Sequence, residues 1–455
     1  MAGSDCARGD RVGSSETNSR SIDFASVRAS ALDQTQVKNE TAKLAEEVIA
    51  RCRKLALFSE DSDGTRRTFL SPPMRDVHRE IAGWLGPLGA EVRVDAAGNL
   101  RALYSANETT APRLLIGSHL DTVPRAGAYD GILGVVLAVA LVKGLGGRRL
   151  PYAVEIAGFS EEEGVRFGTP FIGSRALVGR LDEDLLDVQD LRGVSVRRAI
   201  EEFGLNPGEI QQAALSEDVR GYLEFHIEQG PVLEKLGLPL AVVEAIAGQS
   251  RLEFTFIGRA NHAGTTPMDL RFDALACAAE WITTVERVAR DLPGLVATVG
   301  FVHAHPGAAN VIAGEARVSL DVRHRDDAVR VRAVEDLIHR AREIAQRRGL
   351  SAHWRERMNQ RAVAMDSFFS IQVEEAMGST GCLPHRMVSG AGHDAMILAE
   401  KVPVAMIFVR TPGGISHDPA EAVAANDVAK AIECGLHLLN QLAASTIFQT
   451  RTCRA

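Results

Sequence analysis

Three short, largely apolar runs, each ending abruptly in polar residues, constrain this chain more than any other feature. Leu114-Leu115-Ile116 ends at Gly117-Ser118-His119. Tyr152 to Phe159 runs into Ser160-Glu161-Glu162-Glu163-Gly164, and Val404 to Val409 leads to Gly413-Gly414-Ile415-Ser416-His417. Apolar runs of this length read as strands buried on both faces, the pattern of a sheet covered by helices. Between the first two runs, Ile132 to Leu145 is apolar almost throughout and long enough for a helix. Strand, helix and strand therefore follow one another as α/β architecture demands. Polar residues cluster where those strands end, which is where such folds gather an active site.

The flanking segments fill in the organisation. Leu44, Val48, Ile49, Cys52 and Leu55 recur at helical spacing, and Ser71-Pro72-Pro73 opens a second helix carrying Val77, Ile81, Leu85 and Leu88. From about Leu252 the texture changes to a half-exposed sheet. Leu252, Phe254 and Phe256 alternate, a helix runs from Ala274 to Val288, strands follow at Val296–Val302 and Ala316–Arg323, then a helix from Ala328 to Arg348 and a strand near Ala352–Arg357. That β-α-β-β-α-β order is the ferredoxin-like arrangement. Helix signals at Phe368–Met377, the segment Met387–Ala391 and the run Val404–Val409 return to the first texture. The expected fold is an α/β protein: a mixed-sheet catalytic domain over 40–246 and 360–455, an inserted α+β lid over 247–359, and a mobile tail over 1–39.

Composition narrows the function classes. A net charge of -8 on 455 residues, with no long Lys/Arg block, argues against nucleic acid and favours a small-molecule partner. No apolar run is long enough to span a membrane. The tail lacks the apolar core of a secretory signal, and the six cysteines show no CxxC pair or framework spacing, so a reducing, cytoplasmic setting is expected.

The chemistry starts at His119-Leu120-Asp121, because residues i and i+2 on a strand point to the same side, so one can bind a metal while the other orients it. Taken alone, the pair equally fits capping or a core hydrogen bond. Asp130-Gly131 stands just before the apolar helix and also fits an N-cap. Glu161, Glu162 and Glu163 repel one another unless solvent or a cation relieves them, and a solvated loop is the plain alternative. His226, within Phe225-His226-Ile227-Glu228-Gln229-Gly230, and His417, on its glycine-rich loop, are each ambiguous. Jointly, His119, Asp130, Glu163, His226 and His417 form a nitrogen and oxygen set from separate strand ends that suits Zn²⁺ or Mn²⁺. No HExxH helix, GxSxG elbow or GxxxxGK[ST] loop is present.

With these residues in view, the sequence resembles the hydantoinase/carbamoylase group of the aminoacylase-type dinuclear metallopeptidases, from about Leu44 to Leu439. The motifs are GSHLDTV at 117–123, YDGILGV at 129–135, EEGVRFG at 162–168, HIEQGPVLE at 226–234, NHAGTTPM at 261–268 and GGISHDPAE at 413–421. The resemblance implies two divalent ions per subunit, with His119 on one, Asp130 bridging, Glu163 on the second, and His226 and His417 completing the pair. It implies that Asp121 orients His119 and that Glu162 is the general base. Such a base needs a proton affinity near the working pH, which Glu161 and Glu163 would help to raise. His262 would enter the partner subunit's site as an oxyanion donor, which implies a homodimer through the lid. Gln229, Asn310 and Arg323 would grip the substrate, with Gly392 and His393 lining the same pocket. For Arg323 a strand-end salt bridge is the alternative.

The substrates this group implies carry a ureido unit near a carboxylate. The stretches FSEEEGVRFGT and SGAGHDAM, with the GGISHDPAE pattern, look closest to allantoate amidohydrolases. The expected reaction takes allantoate to ureidoglycine, ammonia and carbon dioxide, with N-carbamoyl-L-amino acids or β-ureidopropionate as the alternative. A dipeptidase is a further enzymatic rival, and a ureido-metabolite-binding or scaffold protein with an inactive site is the non-enzymatic one.

Overall fold

The computed structural model describes residues 24–448, with residues 24–38 and residue 446 described through their backbone only. Helix α1 (Phe24–Ala56) starts inside the segment expected to be a tail. It contains neither glycine nor proline, so nothing in its backbone chemistry stops a helix that starts at Phe24. Residues 1–23 lie outside the described residues. Residues 24–40 belong to a separate unit, whereas the described residues from Thr41 onward form a single body.

Within that body, α2 (Pro72–Leu85) buries Met74, Val77, His78, Ile81 and Leu85 on one face. The antiparallel pair β1 (Glu91–Val94) and β2 (Leu100–Tyr104) comes next. Strand β3 (Arg113–His119), helix α3 (Ile132–Gly144) and strand β4 (Ala153–Phe159) then form a parallel βαβ unit. Strands β5 (Val219–Ile227) and β6 (Leu240–Ile246) complete the first part of the sheet. The chain then builds a second sheet from β7 (Gly248–Ile257), α4 (Ala274–Asp291), β8 (Val296–Thr298), β9 (Val302–His305), β10 (Glu315–His324), α5 (Asp327–Arg347) and β11 (Ser351–Gln360). It returns through β12 (Val363–Ala364), α6 (Ser367–Ser379), β13 (Arg386–Ser389), β14 (Val404–Val409) and α7 (Ala425–Ala444).

The first sheet has nine strands in the order β12-β6-β14-β5-β3-β4-β2-β1, with β13 alongside β6. Its centre is four contiguous parallel strands, β14, β5, β3 and β4. Their carboxyl ends lie along one edge, and the chain leaves β3 toward β4 on one side and reaches β5 on the other. This is the switch point at which open α/β sheets bind ligands. Helix α3 is apolar all round because it is enclosed all round: Ile132 through Val142 are buried, between the sheet and α7.

The second sheet is antiparallel, in the ferredoxin-like order β8/β9-β10-β7-β11. Alternation along β10 puts Ala316, Val318, Leu320 and Val322 into a core with Phe254, Phe256, Trp281 and Leu337. Arg317, Ser319, Asp321 and Arg323 take the other face. The single strand expected at Val296–Val302 is two short ones. The Ser319 hydroxyl accepts the Gly300 and Phe301 amides at 3.0 and 3.1 Å, so those amides do not join the ladder. A cleft of about 930 Å³ separates this polar face from the first sheet, with Gln229, Arg251, Asp321, Arg323 and Gly390 among its walls.

Candidate metal centre

The deepest part of the site is set by β3 and β5. His119 ends β3 and His226 stands one residue before the end of β5, both buried. Each ring is fixed through Nδ1, His119 to the Asp121 carbonyl at 2.9 Å and His226 to the Ile227 carbonyl at 2.9 Å. A carbonyl only accepts, so both Nδ1 atoms carry the proton and both Nε2 atoms present a lone pair. Those two Nε2 atoms face each other at 3.4 Å. Asp130 Oδ1, buried and without an aligned hydrogen bond, lies 3.6 Å from one and 3.2 Å from the other.

Three lone-pair atoms converging in a buried space repel unless a positive charge sits among them. Tetrahedral coordination with bonds of about 2.0–2.2 Å separates ligand atoms by about 3.3–3.6 Å. The observed spacings fit that geometry.

Asp130 also faces a second group. Its Oδ2 lies 3.2 Å from His417 Nε2, which is in turn 3.6 Å from Glu163 Oε1. Gln229 Nε2 and Ser416 Oγ donate to the same Oδ2 at 2.9 and 3.0 Å. One carboxylate thus offers an oxygen to each of two sets of ligand atoms, His119/Asp130/His226 and Asp130/Glu163/His417. The backbone makes room for this at Gly131, where φ is +69° and a Cβ would lie 2.5 Å from the His119 ring. The N-cap alternative for Asp130 is not realised: Gly131 takes the cap position of α3 and no side chain caps it.

The three glutamates diverge. Glu161 turns inward and accepts the Phe69 and Arg166 amides at 2.9 and 2.7 Å, while Glu162 and Glu163 face the histidines. Glu161 and Glu162 are buried, so the solvated-loop alternative falls away. The Asp121 carboxylate does something the sequence did not suggest. It accepts the amides of Glu162 and Glu163 at 2.9 and 3.0 Å and so aims those two residues, whereas its own carbonyl, not its carboxylate, makes the short contact with His119.

Burial pushes Glu162 well above the usual carboxylate range, with His119 opposing and Glu163, Asp394 and Asp121 adding to it. Burial likewise raises Glu163, helped by Asp130.

The substrate-gripping candidates are divided. Gln229 touches Asp130, and His393 is buried with its ring centroid 4.4 Å from that of His226 and its Nε2 hydrogen-bonded to Ser389. Gly392 lies next to it, against Phe171. Arg323 sits on the second sheet in a two-pronged pair with Asp321, at 2.8 and 3.0 Å, and also donates to the Gly390 carbonyl. In this conformation the salt-bridge alternative for Arg323 is realised. His262 and Asn310 are both exposed and stand at a separate two-stranded ladder, Asn261–His262 against Val311–Ile312, where Ala263 N donates to Asn310 O; neither is among the clustered ligand atoms. His262 Nδ1 accepts the Gly264 and Thr265 amides at 3.0 and 3.2 Å, so its proton is on Nε2 and that atom is a donor.

Sequence reasoning missed several supporting residues. Buried Arg67 donates through Nε to the Leu120 carbonyl at 2.7 Å and holds the backbone between His119 and Asp121. Glu224 accepts Ser118 Oγ and the Ala395 amide behind His226. Glu421 accepts the Tyr129 and Asp130 amides. Only Glu421 and Ser416 carried a signal, since both lie in the GGISHDPAE stretch.

Comparison with known proteins gives the same direction. Residues 115–441 match the family described as Peptidase family M20/M25/M40. The chain belongs to that family. Among M20 relatives, allantoate deiminase of Arabidopsis thaliana is 39% identical, covering 88% of this chain and 82% of its own length. N-carbamoyl-L-amino acid amidohydrolase of Geobacillus stearothermophilus is 37% identical over 84% of this chain and 95% of its own. A crystal structure of an amidase of the hydantoinase/carbamoylase family from Burkholderia multivorans superposes with a TM-score of 0.83 at 30% identity, covering 88% of this chain and 98% of that one. All five clustered ligand candidates fall inside the matched M20 region.

Proposed function

We propose that this chain is an amidohydrolase that breaks a C–N bond of a ureido acid, with allantoate as the substrate and ureidoglycine, ammonia and carbon dioxide as products. The observation that carries the reading is the arrangement around Asp130, two sets of lone-pair atoms sharing one carboxylate, in a chain whose relatives include allantoate deiminase. The residues fit two divalent cations, Zn²⁺ or Mn²⁺, held by His119, Asp130 and His226 and by Asp130, Glu163 and His417. Cations bound there lower the pKa of water from 15.7 toward about 7 and polarise the carbonyl under attack.

The chain's own residues do the rest. Glu162, aimed by Asp121 and raised by burial, takes the proton from the attacking water and delivers it to the leaving nitrogen. Arg323 exchanges Asp321 for the substrate carboxylate, a pairing its planar fork suits, with Gln229, Asn310, Gly392 and His393 completing the pocket. His262 supplies its Nε2 proton to the developing oxyanion in the site of a second copy. The lid then serves as the dimer contact, and its exposed Met268, Leu270, Phe301 and Val302 support that role.

Among the described residues no helix is long and apolar enough to cross a membrane. Cys52, Cys277, Cys382 and Cys434 are free and buried, in keeping with a reducing, cytoplasmic setting.

The carbamoylase relative favours a second reading, hydrolysis of an N-carbamoyl-L-amino acid. Metal-loaded protein offered allantoate, N-carbamoyl-β-alanine and an N-carbamoyl-L-amino acid side by side decides between them. Ammonia is expected from allantoate, and release from only the other two would overturn the first choice.

A further inference from the structure

The two halves of the cluster are held in different ways. His119 and His226 are buried on strand ends, with each ring locked through Nδ1 by a backbone carbonyl. Glu163 and His417 stand on loops. The His417 side chain is 48% exposed, its φ is +57°, and among the described residues nothing is hydrogen-bonded to its Nδ1. The outer position therefore needs an anchor from elsewhere.

Glu421 is in place to supply it. Its Oε1 accepts two successive amides, Tyr129 at 2.7 Å and Asp130 at 3.0 Å, while its Oε2 lies 3.4 Å from Ser416 Oγ. Ser416 precedes His417 and places the same hydroxyl 3.0 Å from Asp130 Oδ2. Glu421 belongs to the His417 turn, its own amide donating to the Asp418 carbonyl, so its Oε1 bonds tie the Asp130 loop to that turn. It is 5% exposed and makes no ion pair among the described residues, a costly state for a charge unless cations lie close by. The chain keeps space for it at Gly127, where a Cβ would fall 2.4 Å from Glu421 Cβ and 2.8 Å from its Oε1.

We infer that Glu421 is the positioning residue for the outer cation position, formed by Asp130, Glu163 and His417, and that the two positions release their ions unequally. This rests on the ligand set proposed above. Supporting groups of this kind typically change metal affinity by about 10–100-fold when removed.

The test is a calorimetric titration of chelator-stripped protein with Mn²⁺, with elemental analysis of the same samples. Wild type is expected to take up two equivalents in two steps. Glu421→Gln keeps the tighter step and weakens the other about 10–100-fold, and Gly127→Ala, which displaces the carboxylate, shifts the same step. Ser416→Ala moves it in the same direction by less. If Glu421→Gln fails to fold, the latter two variants carry the test. Equal weakening of both steps, or of neither, would overturn the inference. A wild-type chain binding fewer than two ions would remove the ligand set itself, and this inference with it.

Discussion

The two sheets of this molecule solve different problems. The nine-stranded sheet is buried on both faces and brings His119, Glu162, Glu163, His226 and His417 together from four parallel strand ends, with the loop residue Asp130 between them. The antiparallel sheet is buried on one face only and offers Arg323, tied to Asp321 beside it and to the Gly390 carbonyl, while His262 and Asn310 stand exposed at a separate two-stranded ladder. The difference teaches that the candidate cation site is assembled by the fold of one chain. The residues proposed to grip the substrate, in contrast, are divided between two surfaces, and under that proposal a movement or a second copy brings them together.

Substitutions that separate the two contributions test this contrast. The largest effect is expected in the first sheet. His226→Ala removes an inner ligand, so cation content drops and turnover falls by roughly 10³-fold or more. Glu162→Gln keeps its cations and loses roughly 10²–10⁴-fold in turnover. A Glu162→Gln variant as active as wild type would take the base away from that position.

A smaller effect is expected outside the first sheet. His262→Ala should cost roughly 10²–10³-fold in kcat with cation content unchanged. Mixing His262→Ala and Glu162→Gln subunits should restore activity, because one site of the mixed dimer has both groups intact. Absence of any recovery in proven mixed dimers would place His262 outside its partner's site.

The smallest effect concerns stability. His78 is buried in α2 against Phe203, and its pKa is lowered to about 4 by burial, with Arg67 and Arg75 adding to it. Between pH 6.5 and about 4 the unfolded chain binds a proton there that the folded chain refuses, so stability falls as pH drops through that window. The loss from this one group is on the order of 3 kcal/mol. His78→Leu should flatten the acid limb of a denaturation profile, and an unchanged limb would assign the acid sensitivity elsewhere.

Much of the fold and of the cation site is legible in the sequence, for a physical reason. Strands β3, β4 and β14 and helix α3 are enclosed, so their residues show no regular polar alternation and stand out as largely apolar runs. The polar residues at the ends of those runs mark the site directly. What the sequence conceals depends on partners distant along the chain. The break between β8 and β9 is made by the Ser319 hydroxyl from the neighbouring strand, and Arg67 acts on a backbone 53 residues away. Asp121 is recognisable as part of the site and lies against His119, but the amides its carboxylate accepts are not legible, because spacing shows which side a residue faces and not which amide lies there. Glu421 sits inside a recognised motif, yet a carboxylate that accepts backbone amides looks in sequence like any other acid. Strand β6 and helix α7 are absent from the sequence reading, and α1 begins well before its first strong apolar repeat.

The central claim is that one buried carboxylate, Asp130, holds two cations between two histidine-bearing groups. Anomalous diffraction from crystals of metal-loaded protein, collected at the absorption edge of the bound ion, tests it most directly. The account predicts two peaks roughly 3.5–4 Å apart, one among His119, Asp130 and His226 and the other among Asp130, Glu163 and His417. A single peak away from Asp130, or none at full metal loading, would contradict it.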